Sequence, residues 1–121
     1  TRPILDFSVG STPMGGTLEV GKGKLPARTI RIELCTSMLP ATCEIICNND
    51  VLHAFRIIDL YTLYSFVDDR EADGLWIRGS PKDPSPFIYY YVRLRYQGLQ
   101  TGITAWSSPI WLRRGPSGQA G

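Results

Sequence analysis

The segment Phe87–Tyr96, Phe-Ile-Tyr-Tyr-Tyr-Val-Arg-Leu-Arg-Tyr, has the clearest alternation of side chains in the sequence and decides the fold class. One set of alternate positions is apolar or aromatic and consists of Tyr90, Val92, Leu94 and Tyr96. The positions between them mix aromatic rings with guanidinium groups and consist of Tyr89, Tyr91, Arg93 and Arg95. Because successive side chains of a β-strand point to opposite faces, the segment predicts a strand with one buried face and one aromatic, basic face.

Other segments have the same two-residue period and are separated by turn-forming residues. Arg28–Cys35 places isoleucine and leucine at alternate positions, which is typical of a half-buried strand. Residues 42–56 predict a β-hairpin, because Asn48-Asn49-Asp50 in the middle tolerates the positive φ of a tight turn. Residues 57–67 fit neither the helical nor the strand period cleanly, and their β-branched and aromatic content favours a strand.

Turn-forming residues occur along the whole chain, with 12 glycines and 9 prolines among 121 residues. This distribution suits many short strands better than a few long helices. We therefore expect an all-β fold, an immunoglobulin-like antiparallel β-sandwich of about seven or eight strands. The predicted organisation is an extended lead-in over residues 1–16 with an edge strand at Ile4–Val9, a sandwich domain over 17–114, and a disordered tail over 115–121.

The composition excludes several classes of protein. Hydrophobic residues make up 43% and charged residues 20% of the chain, which is typical of a globular domain and not of a disordered segment. A net charge of +2 gives no electrostatic reason to expect a nucleic-acid partner. No apolar run approaches the length of a membrane span, so no membrane partner is expected. A single histidine, His53, excludes histidine-rich metal centres within the chain.

Three cysteines, Cys35, Cys43 and Cys47, cannot all pair within the chain. Along one strand, Cys43 and Cys47 would be about 13 Å apart, whereas a disulfide needs Cα atoms within about 7 Å. A cross-strand bridge between Cys35 and Cys43 stays open. We expect buried, reduced thiols, which favour a reducing compartment such as the cytoplasm but do not establish the localisation.

The outward positions of the Phe87–Tyr96 strand form the candidate binding surface. Exposed aromatic rings beside arginines are typical of surfaces that dock a protein or bind a ligand. The candidate docking residues are Tyr89, Tyr91, Arg93, Arg95 and Trp111, with Arg113 and Arg114 nearby. Three interpretations are open: packing against another part of the sandwich, docking onto a further domain, and binding of a soluble ligand.

The last predicted strand, Ile103–Arg113, has a proline between its two tryptophans. Pro109 cannot donate a backbone hydrogen bond to a ladder, so the strand must bulge or lie at an edge there. We expect Trp106 to face the core formed by the Phe87–Tyr96 strand, and Trp111, beyond the shift of register, to be the more exposed of the two.

No residue pattern indicates catalysis or a bound cofactor. Asp69, Glu71 and Asp73 match the first ligands of a calcium loop, but the twelfth position is Ser80 instead of glutamate, so a solvated acidic loop is expected. His53 lies on the return strand of the predicted hairpin and has no nucleophile suggested beside it. We expect no catalytic residue, no cofactor and no metal in this chain, and hence not an enzyme.

Two stretches together resemble a known protein family. These are Tyr89-Tyr90-Tyr91-Val92-Arg93 and Ala105-Trp106-Ser107-Ser108-Pro109-Ile110-Trp111. They look like the C-terminal β-sandwich of bacterial and archaeal proteins related to PHP-type metal-dependent phosphoesterases. In that family the metals are bound by an upstream domain, whose motifs are absent here.

The resemblance implies a non-catalytic accessory domain of a larger, metal-dependent hydrolase, with the upstream catalytic domain of the same polypeptide as its partner. The alternative, from another class, is a free-standing carbohydrate- or protein-binding β-sandwich module. The oligomeric state does not follow from the sequence.

Overall fold

Ten β-strands make up the regular structure of the described residues in a computed structural model of the chain. The structure describes residues 4–21, 26–36, 41–71, 74–79, 81–82, 85–96 and 104–114. The strands are β1 (Ile4–Val9), β2 (Thr12–Pro13), β3 (Thr17–Val20), β4 (Arg28–Cys35), β5 (Ala41–Cys47), β6 (Asp50–Ile57), β7 (Tyr61–Asp68), β8 (Phe87–Tyr96), β9 (Thr104–Trp106) and β10 (Ile110–Arg114).

Two sheets contain all of these strands. Sheet I has the order β2-β1-β4-β7 and is antiparallel throughout. Sheet II has the order β3-β10-β8-β5-β6, with β9 pairing along the same side of β8 as β10. All its pairs are antiparallel except β3 with β10, which run parallel. The predicted all-β sandwich is confirmed, with more strands than expected because β2, β3 and β9 are very short.

The core lies between the sheets and is supplied by alternate residues of each long strand. In β8 the buried positions are the predicted ones, Tyr90, Val92, Leu94 and Tyr96, together with Ile88. Sheet I contributes Ile30, Ile32 and Leu34 from β4, and Phe7 and Val9 from β1. Each large side chain that is fully buried contributes about 1.5–3 kcal/mol to stability. The segment predicted as a lead-in therefore supplies two core residues through β1.

The predicted hairpin is formed by β5 and β6, which pair antiparallel. Its turn has Asn48 at φ 52° and Asn49 at φ 72°, the left-handed conformation that asparagine tolerates best after glycine. The Asn48 side chain accepts a hydrogen bond from Tyr89 N at 3.1 Å and donates one to Leu75 O at 2.6 Å. Asn48 thus connects the hairpin to the start of β8 and to the loop before it.

The chain changes sheets near its start, between β2 in sheet I and β3 in sheet II. Gly15, at φ 87°, donates its backbone N–H to Pro109 O at 2.8 Å, and Trp111 N donates to Gly16 O at 3.1 Å. Glycine is favoured at such a positive φ because it has no Cβ. These bonds hold β3 beside β10.

Some predictions concern residues outside the described part of the chain. These are the tail at 115–121, the loop at 97–102 that joins β8 to β9, and positions 73 and 80 of the acidic loop. Among the residues that are described, no helix is long and apolar enough to cross a membrane.

Candidate functional site

The predicted docking residues all lie on the outer side of sheet II. Tyr89, Tyr91, Arg93 and Arg95 are the outward positions of β8, and Trp111 of β10 lies opposite Tyr89. Their side chains are half-buried or exposed, whereas the residues between them are buried. We call this surface the aromatic face; it consists of Phe87, Tyr89, Tyr91, Arg93, Arg95, Trp106 and Trp111.

Trp106 belongs to the aromatic face, so the prediction that it packs in the core is wrong. It lies opposite Arg93 and is 56% exposed, whereas Trp111 is 37% exposed. The register of β9 along β8, continued without a shift, would put Trp111 opposite the buried Ile88. One extra residue between β9 and β10 instead puts Trp111 opposite Tyr89. The shift across Pro109 therefore brings both tryptophans to the same face.

The bulge between the tryptophans is held by hydrogen bonds to the edge of β8. Ser107 N donates to Val92 O at 2.9 Å, and Val92 N donates to the Ser107 hydroxyl at 2.8 Å. The serine side chain thus replaces a backbone acceptor where the ladder is interrupted. The sequence indicated a bulge through Pro109, but it did not indicate how many residues the bulge contains.

The rings of the aromatic face form a continuous row. Trp111 lies between Phe87 and Tyr89, with centroid distances of 5.4 and 5.2 Å. Tyr89 and Tyr91 are stacked at 6.2 Å and 8° between planes, and Tyr91 contacts Trp106 at 5.7 Å. Neighbouring rings are close enough to stabilise one another by about 0.5–1.5 kcal/mol per pair. The row is therefore ordered before any partner binds.

Glu44, which no sequence pattern indicated, fixes the arginines at one end of the row. It is buried, and its Oε1 accepts a hydrogen bond from Arg93 Nε at 2.5 Å. The Arg95 guanidinium lies 3.8 Å from the other carboxylate oxygen. The hydrogen bond to Glu44 raises the pKa of Arg93. Arg93 also lies over the Trp106 ring, at 5.4 Å from its centroid, so its planar group is positioned by two contacts.

Polar groups elsewhere on the aromatic face are also positioned. The Tyr91 hydroxyl donates a hydrogen bond to Asn49 Oδ1 at 3.1 Å. Burial raises the pKa of Tyr89, and the nearby Tyr91 adds to the effect, so the Tyr89 phenol is neutral at pH 7. Arg113 lies opposite Phe87 on the same side of sheet II, whereas the Arg114 guanidinium lies over the Trp76 ring at 4.9 Å.

A second polar cluster lies inside the sandwich, around Asp68 at the end of β7. Its carboxylate, fully buried, accepts hydrogen bonds from the Tyr90 hydroxyl at 2.6 Å and from Arg70 Nε at 2.8 Å. Arg28, whose side chain is also buried, approaches the same carboxylate at 3.2 Å. Arg28 Nε further donates to the Tyr90 hydroxyl at 3.2 Å. The carboxylate is held by hydrogen bonds from Tyr90 and Arg70 and by the charge of Arg28, an arrangement typical of a structural ion pair.

The electrostatics of this cluster keep Asp68 ionised. Burial alone would raise the pKa of Asp68, but hydrogen bonds from Arg70 and Tyr90 and the charge of Arg28 lower it well below the usual range. Burial and the bond to Asp68 raise the pKa of Tyr90. A carboxylate held so far below neutrality is a poor general base. The cluster is therefore suited to stabilising the fold.

The lowered pKa of Asp68 predicts a specific dependence of stability on pH. Its ionised form stabilises the folded state above the unfolded pKa of about 3.9, and that contribution is lost as the pH falls below this value. We expect the free energy of unfolding of wild type to exceed that of Asp68→Asn most at pH 7, and the difference to shrink below about pH 4. Urea unfolding of both proteins at pH 7 and at about pH 3 measures this difference in the free energy of unfolding. An equal difference at both pH values would contradict the assignment.

The three cysteines are free thiols. Cys35 is exposed on the outer side of sheet I, whereas Cys43 faces the core from sheet II, so the bridge left open between them is not formed. Burial raises the pKa of the Cys43 thiol to about 12, with the charge of Glu44 adding to the effect. A thiol with so high a pKa is unreactive at neutral pH.

His53 stacks across the gap between the two sheets. Its ring lies 4.3 Å from that of Phe66, and its Nε2 is 2.7 Å from the Tyr64 hydroxyl. Phe55 and Tyr64 stack beside it at 3.7 Å. His53 is thus part of an aromatic stack between β6 and β7. Among the described residues, which include Asp69 and Glu71, no three His, Cys, Asp or Glu side chains are grouped closely enough to hold a metal ion.

Comparison with known proteins finds relatives in one genus. The chain is similar to proteins of Chlamydia. It is 34% identical to an uncharacterized protein of Chlamydia muridarum and 33% identical to uncharacterized proteins of Chlamydia pneumoniae and Chlamydia trachomatis. Each similarity covers 113 residues, which are 92% of this chain but only 18% of the relative. No protein-family model and no solved structure matches the chain.

Proposed function

We propose that this chain is a non-catalytic accessory domain of a longer polypeptide, and that its aromatic face docks onto another part of that polypeptide. The observation that carries the proposal is the ordered row of rings on the outer side of sheet II, which ends in the exposed Trp106. Tryptophan, tyrosine and arginine are the residue types that dominate the binding energy of protein interfaces. Large exposed rings of this kind usually mark a surface that is covered in the assembled protein.

The pre-ordering of the face supports docking of a folded partner. Arg93 is already fixed by Glu44 and Trp106, and Tyr91 by Asn49, so little side-chain entropy is lost on binding. Arg95, by contrast, has a largely exposed side chain at the end of the face. A central apolar row with a charged end is the usual arrangement of an interface core and rim.

The size of the relatives supports a place in a longer protein. The chain spans 18% of the length of the curated Chlamydia proteins that it matches, so those relatives contain much additional sequence. In these relatives the similar segment is thus a minor part of the polypeptide, as an accessory domain would be. The remainder of such a polypeptide is our candidate partner.

The strand order supports an immunoglobulin-like type of sandwich. That fold places its first, second and fifth main strands in one sheet and its third, sixth and seventh in the other. Here β1, β4 and β7 are adjacent in sheet I, while β5, β8 and β10 are adjacent in sheet II. In this assignment β6 extends sheet II next to β5, and the aromatic face lies on the sheet that contains the last strand.

A finer part of the proposal concerns the parent protein. The resemblance of Tyr89–Arg93 and Ala105–Trp111 to the sandwich that accompanies PHP-type phosphoesterases makes a metal-dependent hydrolase our candidate parent. Hydrolysis of a phosphodiester by the complete protein with Mn²⁺, lost when the metal is chelated, would support this part. Absence of turnover would remove it and leave the docking proposal in place.

The open reading frame that contains this chain is the first test of the docking proposal. A much longer coding sequence is expected. The remaining polypeptide, expressed separately, is expected to bind the 121-residue chain, and Trp106→Ala with Tyr91→Ala is expected to weaken binding at least about tenfold. Ile58→Ala, at an exposed apolar position on another part of the surface, is the control. Equal binding by all variants, or no binding by wild type, would contradict the proposal.

The second candidate function is a free-standing module that binds carbohydrate or protein. The observation that favours it is the near-parallel stacking of Tyr89 and Tyr91 beside Trp106, which offers flat apolar rings to a ligand. Affinity electrophoresis of the chain in gels that contain soluble polysaccharides distinguishes the two functions. Retardation that Trp106→Ala abolishes would favour the module, and unretarded migration favours docking.

A further inference from the structure

We propose that the outer edge of β7 is a self-association site, at which a second copy of this chain adds its own β7 antiparallel and joins the two copies of sheet I. β7 is eight residues long and is the last strand of its sheet among the described residues. Long, uncharged edge strands are templates for pairing with another strand. This surface belongs to sheet I and is separate from the aromatic face on sheet II.

At the open edge of β7, backbone groups of alternate residues have no strand partner among the described residues. Leu60 O accepts a hydrogen bond from Thr36 N at 2.8 Å, so even-numbered residues direct their backbone groups toward β4. Backbone groups of successive residues point to opposite edges of a strand. The N–H and C=O groups of Tyr61, Leu63, Ser65 and Val67 therefore point away from β4, toward the open edge.

Three of these residues place large, mainly apolar side chains at the surface. Leu63 is 68% exposed, and Tyr61 and Val67 are each about half exposed. Between Tyr61 and Val67 the strand contains no charged residue and no proline. Charged side chains and proline are the usual means by which an edge strand is protected from pairing.

Other strands at the sheet edges are protected in these ways. β2 consists of Thr12 and Pro13 alone, and β3 has four residues that include Glu19. β6 contains Asp50 and Arg56, and its pairing with β5 has a shift of register. β7 therefore combines the length of β6 with a regular register and with no charged residue between Tyr61 and Val67.

The sequence of β7 is complementary to itself, which favours a second copy as the occupant. In an antiparallel pair centred on Ser65, Leu63 of each copy lies opposite Val67 of the other, and Tyr64 lies opposite Phe66. Apolar and aromatic cross-strand pairs stabilise a sheet, whereas like charges placed opposite each other would destabilise it. Two-fold pairing brings no like charges together within this segment, and a two-fold interface is the commonest form of self-association.

Sedimentation equilibrium of the 121-residue chain between about 1 µM and 1 mM tests the proposal. We expect a reversible monomer–dimer equilibrium. Leu63→Lys is expected to raise the dissociation constant at least about tenfold, because the lysine would lie opposite Val67 of the second copy. The control, Ile58→Lys, introduces the same charge outside the strand at a position of similar exposure, 71%. It is expected to change the dissociation constant less than about twofold.

Hydrogen–deuterium exchange identifies the strand directly. The amides of Leu63, Ser65 and Val67 are expected to exchange more slowly as the concentration rises, whereas those of Thr62, Tyr64 and Phe66, which face β4, are protected at all concentrations. A chain that stays monomeric would overturn the proposal, as would dimerisation that both lysine variants weaken equally. Protection of the β7 amides only on addition of the remaining polypeptide would also overturn it, in favour of a strand from elsewhere in the longer protein.

Discussion

Replacing Asp68 with alanine is expected to lower the free energy of unfolding by about 3–5 kcal/mol, the cost typical of breaking a buried ion pair by removing one partner. The substitution leaves the buried Arg28 guanidinium without its carboxylate and removes the acceptor of the Tyr90 hydroxyl. A domain of this size has about 5–15 kcal/mol of stability in total. Urea unfolding at pH 7 is expected to show a large fall in the midpoint, or no folded protein.

Two further variants separate the effect of losing a negative charge from the effect of losing the buried side chain at position 68. Asp69→Ala removes a carboxylate at the next, exposed residue and is expected to change stability by no more than about 0.5 kcal/mol. Asp68→Asn keeps the shape and an acceptor oxygen but removes the charge, so an intermediate loss is expected. A loss below about 1 kcal/mol for Asp68→Ala would show that water or another group replaces the carboxylate.

The two faces of β8 were predictable from the sequence, because the two-residue period of a strand is a property of its backbone. Arg93 and Arg95 mark the outward positions, and Val92 and Leu94 at the alternate positions are apolar. The hairpin between β5 and β6 was predictable for a similar local reason, since consecutive asparagines favour the positive φ that a tight turn requires. Both predictions depend on residues that are close in sequence.

The period of β7 was hidden because both of its faces are apolar. Tyr64 and Phe66 face inward, while Leu63 and Val67 face outward and are exposed. The sequence does not distinguish an exposed apolar residue from a buried one, so the alternation of apolar and polar residues that marks a strand is lost. The unprotected edge that we propose as an association site is thus the same feature that made this segment ambiguous.

The buried ion pair could not be predicted because its members are far apart in the chain. Arg28, Asp68 and Tyr90 come from β4, β7 and β8, and only the packing of sheet I on sheet II brings them together. A charged residue at the end of a predicted strand is ordinarily exposed. Nothing local to Asp68 distinguished it from the exposed Asp69 beside it.

Replacing Leu94 with alanine is expected to cost about 2–5 kcal/mol, and replacing Trp106 with alanine only about 1 kcal/mol, although tryptophan is much the larger side chain. Leu94 is fully buried in β8, so its loss leaves a cavity in the core. Trp106 lies on the aromatic face, where solvent takes the place of the removed ring. Trp111, less exposed and in contact with Phe87 and Tyr89, is expected to fall between them.

The order of these three effects tests the register across Pro109. If the bulge contained no extra residue, Trp111 would face the core beside Ile88, and Trp111→Ala would be as costly as Leu94→Ala. Thermal and urea unfolding of the three variants measure the order, and the m-value shows whether each still unfolds in a single transition. A costly Trp106→Ala would restore the core position that the sequence suggested. Because the expected loss is small, Trp106→Ala can serve in the binding experiments as a folded protein whose docking surface alone is changed.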